Sequence, residues 1–129
     1  MSVAYLLGHP VAHSLSPAMH NAAFRALGMA HRYEALDVAP EALAAAVGRL
    51  RAPDVLGANV TVPHKERIMA LLDTVAGEAR EIGAVNTVLR ADGRLTGHNT
   101  DRAGFAAALA ERGIALEGKR ALVLGAGGA

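Results

Sequence analysis

The 129-residue chain has no cysteine and no tryptophan, only two tyrosines and two phenylalanines, and no long apolar run. Without cysteine there is neither a disulfide scaffold nor a thiolate metal site. With so few aromatic rings, a close-packed core must be built from Val, Leu, Ile, Met and Ala. No apolar stretch approaches the ~18 residues that a membrane span needs. Met1–Gly8 lacks the basic region of a signal peptide. A cytoplasmic protein is therefore the expectation. Charge is scarce as well: Asp, Glu, Lys and Arg make up 19%, with 13 basic and 12 acidic residues for a net charge of +1. The basic residues are scattered, so no field favours nucleic acid or an anionic membrane as partner. What is abundant is apolar residues, at 52%, and glycine, at 14. That composition excludes simple disorder and suits a globular chain long enough to bury its own core.

Apolar and polar residues alternate in a pattern of strands and helices. Val3–Leu7 reads as a buried strand, and His9–Leu15 as a loop. Ser16-Pro17 opens a helix, with Ser16 as N-cap and Pro17 suited to the first helical position, and Gly28 ends it. Tyr33–Val38 is expected as a strand, Pro40–Leu50 as a short helix and Leu56–Thr61 as a strand. Pro63 opens a further helix through Leu72, and Ala76–Ile82 forms a short one. Ala84–Leu89 and Arg94–Gly97 are strands joined by the hairpin signal Ala91-Asp92-Gly93. Asn99-Thr100-Asp101 caps a helix through Arg112, and Arg120–Leu124 is a last apolar strand. The class is α/β: a mostly parallel sheet with helices on both faces and one antiparallel edge hairpin. The best boundary lies at Gly113–Lys119. It divides residues 1–113 from residues 114–129, the start of a second unit. A strand entering the turn Gly125-Ala126-Gly127-Gly128-Ala129 should lead into a helix, so a piece of a longer protein is expected.

Several residues could carry chemistry. Ser14 and Ser16 flank a helix start, where N–H groups and hydroxyls suit an anion; Ser16 could equally be only a cap. Asn59 and Thr61 point to one side at a strand end, where ligands of open α/β sheets bind. Lys65 is expected in the first helical turn after Pro63, where a cation opposes the macrodipole and costs a few tenths of a kcal/mol. Only two of the 13 basic residues are lysine, so a Lys at an unfavourable spot points to function, and a helix start would depress its pKa. Asn86 is an amide among apolar neighbours that needs partners if buried. Asp101 suits a first turn on dipole grounds alone. The Gly125–Ala129 turn, after a strand, could let backbone N–H groups approach a dinucleotide pyrophosphate or could be a plain loop. His9, His13, His20, His31, His64 and His98 show no metal-binding spacing, and no metal is expected; most read as surface or loop histidines.

Taken in order, these segments carry a resemblance. Gly8-His9-Pro10-Val11-Ala12-His13-Ser14-Leu15-Ser16-Pro17-Ala18-Met19-His20-Asn21 resembles the N-terminal signature of shikimate dehydrogenases. Gly57-Ala58-Asn59-Val60-Thr61-Val62-Pro63-His64-Lys65 is similar to that family's catalytic-lysine motif. Gly83–Thr87 and Gly97–Asp101 are similar to its later substrate motifs, and Gly125–Ala129 to the opening of its NADP-binding turn. The resemblance implies reversible NADPH-dependent reduction of 3-dehydroshikimate to shikimate in the intact protein, on the way to chorismate and aromatic amino acids. It implies Ser14 and Ser16 for the substrate carboxylate and Asn59, Thr61 and Asn86 for ring hydroxyls. Lys65 and Asp101 would form the catalytic pair. Gly125, Ala126, Gly127, Gly128 and Ala129 would begin an incomplete NADP site, the rest of a Rossmann unit lying beyond. Residues 1–113 would be the shikimate-binding domain, and a homodimer is allowed without being indicated. Two alternatives remain: a quinate/shikimate dehydrogenase of broader specificity, or a shikimate-binding domain that does not turn its ligand over.

Overall fold

The computed structural model describes residues 1–125 and 127. Its centre is a six-stranded sheet, built around strand β1 (Ser2–Gly8). β1 pairs in parallel with β2 (His31–Asp37) on one side and with β3 (Val55–Val60) on the other. Beyond β3 lies β5 (Thr87–Ala91), antiparallel to it, then β6 (Arg94–His98), antiparallel to β5. The two-residue β4 (Thr74–Val75) closes the far edge, parallel to β6. The order is β2-β1-β3-β5-β6-β4. The expected α/β class therefore holds. The hairpin sits one place in from the edge because β4 takes the outer side of β6.

Alternation along β1 makes two cores from one strand. Val3, Tyr5 and Leu7 face a cluster that includes Leu43, Ala46, Val47 and Leu50, the last being fully buried. Three of these four lie on helix α2 (Leu43–Arg49) and Leu50 follows it. A 3-10 turn over Arg67–Leu71 adds Ile68, and helix α3 (Gly77–Ile82) adds Ala79. Leu6 faces the other way, with Val11, Tyr33 and, from helix α1 (Ser16–Ala26), Phe24. Each fully buried Leu contributes roughly 1.5–3 kcal/mol.

Local devices fix the frame. Between Val3 and Ala4 the register with β3 shifts, so that Ala4 lies opposite Gly57. Gly57 has φ 152, and a Cβ there would meet the Val88 carbonyl oxygen at 2.1 Å. A glycine is required because β5 passes so close. Asp92 (φ 50) and Gly93 (φ 76) both have the positive φ that a tight two-residue hairpin turn demands. At the β2 edge, the Asn21 side chain acts as a strand substitute: it donates to the Tyr33 carbonyl at 2.9 Å and accepts the Tyr33 N–H at 2.8 Å.

Some expectations are corrected. Pro40–Leu50 is a 3-10 turn over Pro40–Ala42 followed by α2, not one helix. Pro63 opens no α-helix: residues 62–66 are turns ahead of Arg67–Leu71. The Lys65 carbonyl accepts the distant Val85 N–H at 2.8 Å, which takes it out of any helical ladder. The expected strand Ala84–Leu89 begins only at Thr87, which leaves Asn86 ahead of the ladder. Arg120–Leu124 forms no strand; it has no partner among the described residues, and Leu122, Val123 and Leu124 are exposed. A strand cannot persist without a ladder to satisfy its backbone. The last helix, α4 (Asp101–Glu111), buries no residue.

Candidate active site

Three segments converge at the centre of the site. Asn86 immediately precedes β5, Asp101 opens α4, and Lys65 lies in the turn after β3. Lys65 Nζ donates to Asp101 Oδ2 at 2.7 Å. The Lys65 side chain is 13% exposed and that of Asp101 49%, so the pair sits at a half-open mouth. Asn86 Nδ2 donates to Asp101 Oδ1 at 2.9 Å and to Thr100 Oγ1 at 2.8 Å. Its Oδ1 accepts the Thr100 N–H at 3.0 Å and the Thr87 hydroxyl at 3.0 Å. Thr87 Oγ1 accepts from Asn59 Nδ2 at 3.4 Å, and Asn59 Oδ1 accepts the Tyr33 hydroxyl at 2.8 Å. One connected row of side chains thus runs from Tyr33 to Asp101 and Lys65. Burial pushes the Tyr33 phenol up to about 12, so its hydroxyl stays protonated at neutral pH.

Asn99 supports this row from below. Buried itself, it accepts the N–H groups of Asp101 at 3.0 Å and Arg102 at 3.3 Å and donates to the Ala84 carbonyl at 3.0 Å. It therefore caps α4 and holds Asp101 in place. His64 does the same for the Lys65 turn. It lies in that turn, in keeping with the loop or surface position expected of most of the histidines, but it is fully buried and donates from Nε2 to the Val38 carbonyl at 2.6 Å. Its Nδ1 has no partner among the described residues.

The expected serines lie elsewhere on the same end of the sheet. Ser14, Ser16 and Thr61 line a cleft of about 600 Å³, together with His9, Pro10, Val11 and His13. Ser16 is the first residue of α1 and not its cap. The cap-like contact comes from Ser14, whose Oγ accepts the Ser16 N–H at 3.2 Å. The Ser14 hydroxyl hydrogen and the Ser16 hydroxyl remain for an anion. His9 is held at the rim by Asp37 at 2.5 Å. Asn59 lines a separate depression of about 180 Å³ with His20, Phe24, Tyr33 and Thr87.

Lys65, Asn86 and Asp101 are thus joined directly, Asn59 reaches them through Thr87, and Ser14, Ser16 and Thr61 share the cleft. Contrary to expectation, no α-helix begins around Lys65, and the 3-10 turn that follows starts only at Arg67. Gly127 lies beside Glu66, the residue after Lys65: a Cβ on it would stand 4.0 Å from Glu66 Oε1. Ala126, Gly128 and Ala129 lie outside the described residues. Among the described residues, no group of three or more His, Asp or Glu is arranged to hold a metal ion. None of their helices is long and apolar enough to cross a membrane. Sequence reasoning misses Tyr33, Thr87 and Thr100. The two threonines sit inside the segments 83–87 and 97–101 that carry the resemblance, but Tyr33 carries no local signal.

A mouth with an ammonium, a carboxylate and amides, beside a cleft with serine hydroxyls, suits a small polyhydroxylated acid. Comparison with known proteins leads to the same place. The family model described as "Shikimate dehydrogenase substrate binding domain" matches residues 6–88. The chain is 59% identical over 124 residues to shikimate dehydrogenase (NADP(+)) of Symbiobacterium thermophilum, a match covering 96% of this chain and 42% of that protein. It is 60% identical to shikimate dehydrogenase (NADP(+)) of Salinibacter ruber, covering 96% and 44%. The crystal structure of shikimate 5-dehydrogenase from Thermus thermophilus in complex with shikimate superposes with a TM-score of 0.90 at 54% identity, covering 99% of this chain and 49% of that one. The chain spans less than half the length of these curated relatives.

Proposed function

This chain belongs to the family of shikimate dehydrogenase substrate-binding domains, and from that membership we propose that it holds shikimate and 3-dehydroshikimate for their NADP-linked interconversion. The observation that carries the reading is the Lys65–Asp101 contact of 2.7 Å, with Asn86 on the second carboxylate oxygen. The serine hydroxyls of Ser14 and Ser16 take the substrate carboxylate. Asn59, Thr61 and Asn86 hydrogen-bond ring hydroxyls. As the carbonyl is reduced, charge develops on its oxygen; Lys65 stabilises that charge and delivers a proton there. Asp101 orients the ammonium and accepts from the product hydroxyl.

The hydride of this reaction is supplied by NADPH, in the whole protein. Residues 120–125, which lead into the glycines, form no strand. We take residues 1–113, closed by Gly113 at φ 67 after α4, as the substrate-binding unit. Residues 114–129 are the entry to a cofactor unit.

The test is calorimetric titration of the 129-residue chain with shikimate, where saturable one-to-one binding is expected. Failure to bind sinks the reading. In a protein carrying this chain together with a cofactor unit, Lys65→Ala should lower kcat by about 10²–10⁴-fold with KM little changed. Near-normal turnover would remove Lys65 from the proton transfer.

A further inference from the structure

We propose that Tyr33 is a positioning residue, whose buried hydroxyl locks the Asn59 amide in the direction that Thr87 sets, so that Asn59 offers a donor, Nδ2, to an oxygen of the ligand. The proposal rests on the substrate-binding reading above and deepens it.

The direction of every side chain in the row follows from its neighbours. Thr100 contributes a backbone N–H, which can only donate, and the Asp101 carboxylate can only accept. Between them Asn86 has no choice: Oδ1 faces Thr100 N–H and Nδ2 faces Asp101. Asn86 Oδ1 then takes the Thr87 hydroxyl hydrogen. Having given its only hydrogen away, Thr87 can only accept from Asn59, which therefore turns Nδ2 to it. Asn59 Oδ1 is left facing Tyr33, and the Tyr33 hydroxyl donates to it. The row has one sense throughout, each group donating to the next until Asp101, which accepts from Asn86 and from Lys65 alike.

Of the two contacts on the Asn59 amide, Tyr33 is the firmer, at 2.8 Å against 3.4 Å to Thr87. Tyr33 is itself held rigidly. Asn21 takes both of its backbone groups, and its ring stacks on His20 with centroids 4.3 Å apart. Its phenol, raised to about 12, remains a donor. Nδ2 has two hydrogens; Thr87 uses one, and the second is free for a ligand hydroxyl or carbonyl oxygen. With the Tyr33 hydroxyl absent, the amide is held only by the long contact and turns more freely.

The experiment is a double-mutant cycle on the 129-residue chain, read by shikimate titration. Tyr33→Phe should weaken binding about five- to tenfold. In an Asn59→Ala background the same change should have no effect, because Tyr33 acts through that amide. An equal loss in both backgrounds, or no loss in either, overturns the proposal. A second readout needs no ligand: nuclear Overhauser contacts from the Asn59 side-chain amide to Thr87 should be present in the parent and lost in Tyr33→Phe. Their persistence in the variant overturns the proposal. If the parent chain does not bind shikimate, the proposed function fails, and these contacts alone judge Tyr33. Should Tyr33→Phe not fold, the parent decides through its Tyr33 hydroxyl proton. A slowly exchanging resonance supports donation to Asn59, and one lost to solvent exchange refutes it.

Discussion

Asn99→Ala is the sharpest stability test of the frame behind the site. The side chain makes three hydrogen bonds, two to N–H groups at the start of α4 and one to the Ala84 carbonyl. The two kinds of loss should be seen in different measurements. Removing the cap costs about 1 kcal/mol. Since α4 buries no residue, that loss should show as local fraying of α4 and not as global unfolding. Amides of α4 should exchange about fivefold faster, the change that a loss of about 1 kcal/mol in local opening brings. The Ala84 carbonyl is a different case, for Ala84 is only 3% exposed. Leaving it without a donor costs about 1–3 kcal/mol, which should appear in the global free energy. The assay is urea unfolding followed by far-ultraviolet dichroism, with hydrogen exchange on the same samples. Asn99→Ser separates the terms. Its hydroxyl can cap the helix but cannot reach Ala84, so it should keep the exchange rates of α4 and show most of the global loss. A global change below about 0.5 kcal/mol in Asn99→Ala would refute the reasoning, because the buried carbonyl would then have found another donor.

Two further outcomes are expected. The hydrogen bond from Arg51, with help from the Leu95 N–H, holds the Asp73 carboxyl below its ordinary value of 3.8. A depressed carboxylate stabilises the fold above its unfolded pKa, and that stability is lost as pH falls through the folded value. The urea midpoint should therefore drop below about pH 4, and Asp73→Asn should flatten the drop; an unchanged slope in the variant removes Asp73 from the account. Gly57→Ala would set a methyl 2.1 Å from the Val88 carbonyl oxygen in a backbone that L residues rarely adopt. Destabilisation of about 3 kcal/mol or more is expected, and a thermal midpoint within a few degrees of the parent would show that β5 does not pass so close.

Much of the site was readable because its residues come in short runs, each with local meaning. Asn59 and Thr61 alternate at a strand end, and Asn99-Thr100-Asp101 is a helix start by composition. The hairpin at Asp92-Gly93 likewise needs only its own two residues. What could not be read depends on partners far along the chain. Val85 claims the Lys65 carbonyl, so the helix that Pro63 announces never forms. The two-residue β4 exists only because β6 lies beside it. Ser14 and not Ser16 makes the contact at the α1 start, a shift of two residues that propensity cannot resolve. Tyr33 lies 26 residues from Asn59, and nothing in a strand of alternating residues shows that its hydroxyl ends on an amide.

The Asn21 side chain has a bearing on how copies of this protein behave toward one another. β2 is an outermost strand, and an outermost strand offers unpaired backbone groups to any passing strand, the usual start of edge-to-edge aggregation. By occupying both backbone groups of Tyr33, Asn21 removes one pairing slot from the middle of that edge. The ion pair of Arg32 with Glu34, one residue to either side, adds charge that a docking strand would have to desolvate. The same amide that steadies Tyr33 from within thus serves as a guard against self-association from without.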